Sequence, residues 1–131
     1  MIYVSVTKET NFPISIAKTK DSVKKTLLAN GIVSDCEVAV ALVRRETMQK
    51  YVDKYYGDGT DHPVLSFPSN EIEGRFIFPD DGKMHLGEIV VSYDWCVEEA
   101  SRVGKLVEQV VAEMVKHGTL HLLGIHHDTI S

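Results

Sequence analysis

Four of the six histidines fall in one short stretch, Lys116-His117-Gly118-Thr119-Leu120-His121-Leu122-Leu123-Gly124-Ile125-His126-His127-Asp128. His117 and His121 are four residues apart, so on a helix their imidazoles share one face about a turn apart and can bind a single metal ion. Val110 and Met114 continue that face upstream at the same spacing, which aims the pair at the protein interior. Gly124 is the expected helix stop, letting the chain turn back and offer His127 as a third ligand. His126 is either an alternative third ligand or a group that orients one, and Asp128 is either an outer acceptor or a solvated carboxylate. Three imidazoles on a tetrahedral ion leave one position for water, the layout of a catalytic zinc site, so hydrolysis is the reaction to expect. Metallopeptidases of the HExxH type carry a general-base glutamate directly after the first histidine; here that residue is Gly118. A phosphodiester, whose own oxygens or 2′-hydroxyl can take part, suits such a site better than a peptide. Metal uptake needs neutral imidazoles, so occupancy should fall as pH drops through about 6.5.

The elements that position these residues are legible in outline. Ile2 to Val6 alternates apolar and polar residues as a strand does, and apolar residues at helical spacing from about Ile16 predict a helix closed by Asn30-Gly31. Cys36 to Val43 reads as a central strand buried on both faces, followed by a helix from about Arg45 to Tyr56. Pro63 to Pro68, held between two prolines, reads as an edge strand. Arg75 to Phe78 and Leu86 to Ser92 flank Pro79-Asp80-Asp81-Gly82 and predict a hairpin. Helices are expected from about Asp94 to Val103 and from about Leu106 to Leu123, separated by Gly104. The order predicts an α/β or α+β fold, a single domain spanning residues 1–131. In it a small mixed sheet is covered by helices, and the C-terminal helix presents the histidines.

Length and composition agree. The chain has 131 residues, 44% hydrophobic and 25% charged, enough for one soluble domain with its own core and unlike a disordered or fibrous protein. No apolar run approaches the ~18 residues that span a bilayer, and the first residues lack the pattern of a signal peptide, so a cytoplasmic protein with no membrane partner is expected. Cys36 and Cys96 have no CxxC spacing and read as buried thiols in a reducing compartment. His62 and His85 read as hydrogen-bonded interior histidines. Glu88 reads either as an outward strand residue or as a partner of the site, and Arg44, Arg45, Lys50 and Lys54 as solvated helix charges or as groups near it. The net charge of −5 argues against a nucleic-acid binder when taken alone. The excess acid lies in residues 61–131, however, whereas residues 1–60 carry 9 basic against 7 acidic side chains. Two charges from a bound Zn2+ would sit where a phosphate binds.

The stretch HGTLHLLGIHHD resembles the HGxLHLxGxDH signature of the YbeY family, zinc-dependent single-strand-specific endoribonucleases implicated in ribosomal RNA maturation. Val64-Leu65-Ser66-Phe67-Pro68 matches that family's VLSFP segment, and Leu86-Gly87-Glu88-Ile89-Val90 is similar to its LGDIVI strand. The resemblance implies one Zn2+ per chain on His117, His121 and His127, with Ser66 closing the wall of the cleft by a hydrogen bond. It also implies a substrate of single-stranded RNA, ribosomal precursor above all, ribosomal proteins as further partners, and no DNA. Three departures accompany it: His126 replaces the family's Asp before the third histidine, Tyr56 falls where the family has an Arg thought to act on the phosphate, and no acidic helical tail follows the third histidine. Two other readings stand beside the nuclease: a non-catalytic ribosome-assembly factor with a structural metal, and a metallopeptidase-like hydrolase.

Overall fold

The computed structural model describes residues 1–33, 35–69 and 84–125. Four strands, β1 (Ile2–Lys8), β2 (Cys36–Val43), β3 (Val64–Pro68) and β4 (Met84–Ser92), form one sheet in the order β1-β2-β4-β3. The first three in that order are mutually parallel, and β3 runs antiparallel to β4 at the edge. Four helices accompany them: α1 (Ile16–Ala29), α2 (Arg45–Tyr55), α3 (Tyr93–Val103) and α4 (Val107–Leu122). The mixed sheet and its helices are the expected α+β class. Among the described residues no helix is long and apolar enough to cross a membrane.

Local chemistry sets the helix ends. The Ser15 hydroxyl accepts the Lys18 N–H at 3.1 Å and starts α1. The Asp94 carboxylate accepts the Arg45 N–H at 2.8 Å across the gap between α3 and α2, and the Gln109 side chain accepts the Leu106 N–H at 3.0 Å at the head of α4. The end of α4 is a Schellman turn, as the position of Gly124 suggests: Gly124 N–H reaches His121 O and Ile125 N–H reaches Leu120 O, both at 2.9 Å, with Gly124 at φ +79°.

Side-chain alternation along the strands separates two apolar layers. Val4, Val38, Val40, Leu42, Ile89 and Val91 pack with α1, α3 and α4, while Val43, Leu65 and Val90 pack with Met48 and Val52 of α2 on the other face. β2 was expected to be buried on both faces, and only one is fully so: Glu37, Ala39 and Ala41 are half-buried. The reason is the shortness of α2, which covers one end of its face. β4 carries a bulge, where Glu37 pairs with His85 and the next residue, Val38, with Gly87; Gly87 within the predicted strand is its one local signal. Of the predicted hairpin, the first strand, Arg75 to Phe78, lies outside the described residues, and the second belongs to β4, whose neighbours among the described residues are β2 and β3.

Candidate metal centre

Helix α4 lies on the cross-strand pair Ser66 and Ile89. Gly118 faces that pair so closely that a methyl group built on it would stand 2.6 Å from Ile89 Cγ2 and 3.2 Å from Ser66 Oγ. The Ser66 hydroxyl donates to the Gly118 carbonyl at 2.9 Å, tying β3 to the helix beside His117. One turn on, Leu122 packs against Gly87 of β4 (φ +143°), where a methyl would stand 2.9 Å from Leu122 Cδ2 and 2.3 Å from the Phe67 carbonyl oxygen. Glycine is required at both places, and together they fix how deep α4 sits and which way it is turned.

That orientation leaves His117 and His121 half-buried, on the helix face shared with buried Val110 and core-packed Met114, as expected. His121 stands in the last turn of α4, where the partial negative charge of the final carbonyls favours a cation. Two imidazoles a turn apart at such a helix end suit zinc or a similar borderline ion, so the residues described fit two of the three expected ligands. His127, His126 and Asp128 lie outside the described residues, and among the described residues no three histidine, cysteine or carboxylate side chains form a metal-binding group.

Glu88 is exposed on its strand. Half-buried His85 approaches Glu37 Oε1 through Nδ1 at 2.6 Å, and half-buried His62 meets the Thr60 hydroxyl at 2.7 Å and the Asp58 carboxylate at 3.2 Å. Hydrogen bonds from the Thr60 backbone and hydroxyl hold the Asp58 carboxyl below its usual range. Neither histidine is fully interior; each is hydrogen-bonded or ion-paired at the rim of the fold. Tyr56 stacks on His62 with ring centroids 5.3 Å apart. Among the described residues the three guanidiniums are engaged: Arg44 lies over the Phe12 ring, Arg45 is bidentate on Glu98 with Asp61 3.6 Å from its Nε, and Arg102 is bidentate on Glu99.

One group of aromatic residues near the site escaped the reading of the sequence. Tyr55 and Tyr51 of α2 lie 4.9 and 5.9 Å from the Phe67 ring on β3. The i, i+4 spacing of Tyr51 and Tyr55 was visible, but their meeting with Phe67 depends on how the helix crosses the strand.

A family model described as endoribonuclease YbeY matches residues 5–131. Similar curated proteins carry the same name. One from Roseiflexus sp. is 30% identical over 88% of this chain and 72% of its own length. Another, from Thermoanaerobacter sp., is 34% identical over 88% of this chain and 77% of its own. One from Symbiobacterium thermophilum is 35% identical over 79% and 66% respectively. Among solved structures, the solution structure of TM1509 from Thermotoga maritima superposes with a TM-score of 0.58 at 24% identity, covering 98% of this chain and 79% of that one, a likeness of fold. The class is thus a nuclease-type hydrolase on an α+β scaffold. The chain belongs to the endoribonuclease YbeY family.

Proposed function

We propose that this protein is a zinc-dependent endoribonuclease that cuts single-stranded RNA, with ribosomal RNA precursor as its substrate and the cytoplasm as its compartment. Family membership supports the reaction class, and the observation that carries the site is the half-buried pair His117 and His121 on a helix end that favours a cation. In this reading His117, His121 and His127 hold one Zn2+, His126 and Asp128 orient the ligands, and Ser66 braces the helix through the Gly118 carbonyl. When bound, such an ion makes water a competent nucleophile near neutral pH and offsets charge on a phosphoryl group. The chain's own part is to keep two imidazoles a fixed turn apart, half-shielded from water. Its exposed lysines contribute a salt-sensitive hold on the phosphate backbone, and ribosomal proteins are further partners in this reading. DNA is not an expected substrate.

Zinc content and titration test the site: a preparation that neither contains nor takes up zinc or nickel stoichiometrically sinks it. Replacing His121 by Ala should weaken metal binding by at least about 10–100-fold, the loss that follows removal of even a supporting group. Cleavage of single-stranded RNA should go with it while the fold persists.

The absence of a guanidinium at Tyr56 favours a second reading, an assembly factor whose metal only holds the C-terminal turn. Under that reading the wild type cleaves nothing and His121→Ala unfolds the segment. The peptidase reading fares worst, because Gly118 has no room even for a methyl where a glutamate is needed.

A further inference from the structure

We propose that the free edge of β1 takes up an extended acidic segment of another polypeptide as a fifth strand of the described sheet. The edge has this capacity whether or not the protein cuts RNA. The Met1 carbonyl accepts the Cys36 N–H at 3.2 Å, and the Glu9 N–H donates to the Leu42 carbonyl at 2.9 Å. Both backbone groups of a strand residue point to one side and successive residues alternate, so Tyr3, Ser5 and Thr7 turn theirs to β2. Ile2, Val4 and Val6 turn theirs outward, and among the described residues no strand lies beyond them. β1 lacks the usual devices that block an edge: its seven residues include no proline, glycine or bulge. Lys8, at its end, is drawn aside, with Nζ on the Phe12 and Ile14 carbonyls at 2.9 and 3.1 Å.

The flank above that edge selects the occupant. Helix α1 packs on β1 and on α4. Ser22 reaches the Ala112 carbonyl of α4, and Thr19, Val23 and Leu27 are buried towards the sheet. At about 100° per residue, Ile16, Lys20 and Lys24 therefore lie on the side of α1 away from α4, over the free edge. Neither lysine has an ion pair or hydrogen bond among the described residues, whereas Lys18 and Lys25 pair with Glu108 and Asp21. Other carboxylates nearby are engaged: Asp35 by the N-terminal amine, and Glu9 by the Arg44 N–H and the Thr47 hydroxyl. Four helical residues rise about 6 Å and two strand residues about 6.6 Å. A strand laid antiparallel to β1 thus sets alternate side chains beneath Ile16, Lys20 and Lys24 in turn, and the matching pattern is apolar-x-acid-x-acid. The intervening side chains meet Tyr3, Ser5 and Thr7, which are exposed and uncharged. Charge disfavours a second copy, because two β1 strands paired about a two-fold axis bring both Lys20–Lys24 rows to one seam. Phosphate oxygens only accept hydrogen bonds, so RNA leaves the outward carbonyls unmet.

The probe is a fluorescein-labelled, end-capped peptide, Thr-Val-Thr-Glu-Thr-Glu-Thr, titrated with the full protein and followed by anisotropy. It should bind, and a version with lysine for both glutamates should bind about tenfold more weakly. N-methylation of the residues whose amides face β1 should abolish binding, because the added ladder loses its donors. Lys20→Glu combined with Lys24→Glu should reverse the preference in favour of the lysine peptide. A wild type that ignores the glutamate peptide overturns the proposal; so does equal binding of the N-methylated one, or an unreversed preference in a folded double variant. If the double variant fails to fold by circular dichroism, the three peptides on the wild type decide. Two further outcomes reassign the edge and overturn the acidic partner. One is a wild-type dimer in sedimentation that Val6→Pro dissolves, which places a second copy there. The other is RNA affinity that falls in the double variant while no peptide binds.

Discussion

Gly118 shows how one residue sets both architecture and chemistry. Its missing side chain lets α4 rest on Ile89 and Ser66, and the same absence removes the glutamate a peptidase would use. Gly118→Ala should cost about 1–3 kcal/mol of stability in urea denaturation, because Ile89 is a buried core side chain with little freedom to yield. Ser66→Ala loses one hydrogen bond to a carbonyl and should cost about 1 kcal/mol. If the loss of RNA cleavage in Ser66→Ala far exceeds what that destabilisation explains, the hydroxyl also aligns His117. The histidine spacing was legible because a helix imposes it. The crowding at Gly118 was not, since it arises from Ile89 and Ser66 on two strands that precede the helix in the chain. Cys96 was readable as a buried thiol, and burial pushes it up to about 12. Native protein should therefore resist thiol reagents at pH 8 at this position and react once unfolded.

The N-terminal end of α2 is joined to α3 by polar contacts. Arg45 is bidentate on Glu98, and the Asp94 carboxylate accepts the Arg45 backbone N–H. The two contacts differ in worth. An exposed ion pair contributes about 0–1 kcal/mol, whereas a carboxylate that satisfies an orphan N–H at a helix start contributes about 0.5–2. Asp94→Ala should thus lower the denaturation midpoint more than Glu98→Ala, with both variants folded by circular dichroism. Element boundaries follow the same division between local and distant causes. Gly31, Gly104 and Gly124 mark helix ends by their own backbone chemistry, and the prolines around Val64 to Phe67 mark the edge strand of the described sheet, so both were readable. The bulge beside Gly87 had that glycine as a local signal, whereas the half-open face of β2 and the Tyr55–Phe67 contact are set by what lies across the sheet. No window of sequence contains them.

At the scale of the molecule, charge and burial set a range of pH. Glu9, Glu98, Glu99, Glu108 and Asp58 are all held below their usual range, chiefly by hydrogen bonds from Thr47, Arg45, Arg102, Ser15 and Thr60 respectively. A carboxyl that ionises more readily when folded stabilises above its ordinary value and loses that contribution as pH falls through the lowered one. Stability should therefore decline below about pH 4. On the alkaline side the folded protein keeps the Cys96 proton that an unfolded chain releases near 9.0, so stability should fall again as pH rises towards about 12. Thermal melts across pH 3–11 should trace a plateau with both flanks descending. The packing of α4 has a further consequence, in time. The Glu108 carboxylate accepts the Ser15 N–H at the head of α1, the Ser22 hydroxyl donates to the Ala112 carbonyl, and Gly118 sits on β3 and β4. The helix with the histidines thus closes on surfaces that all precede it in the chain, and a ribosome making about 5–20 residues per second finishes every one of them first. The nascent protein therefore spends its early life beside ribosomal RNA with α4 undocked, and His117 and His121 take their half-buried places only when that helix closes.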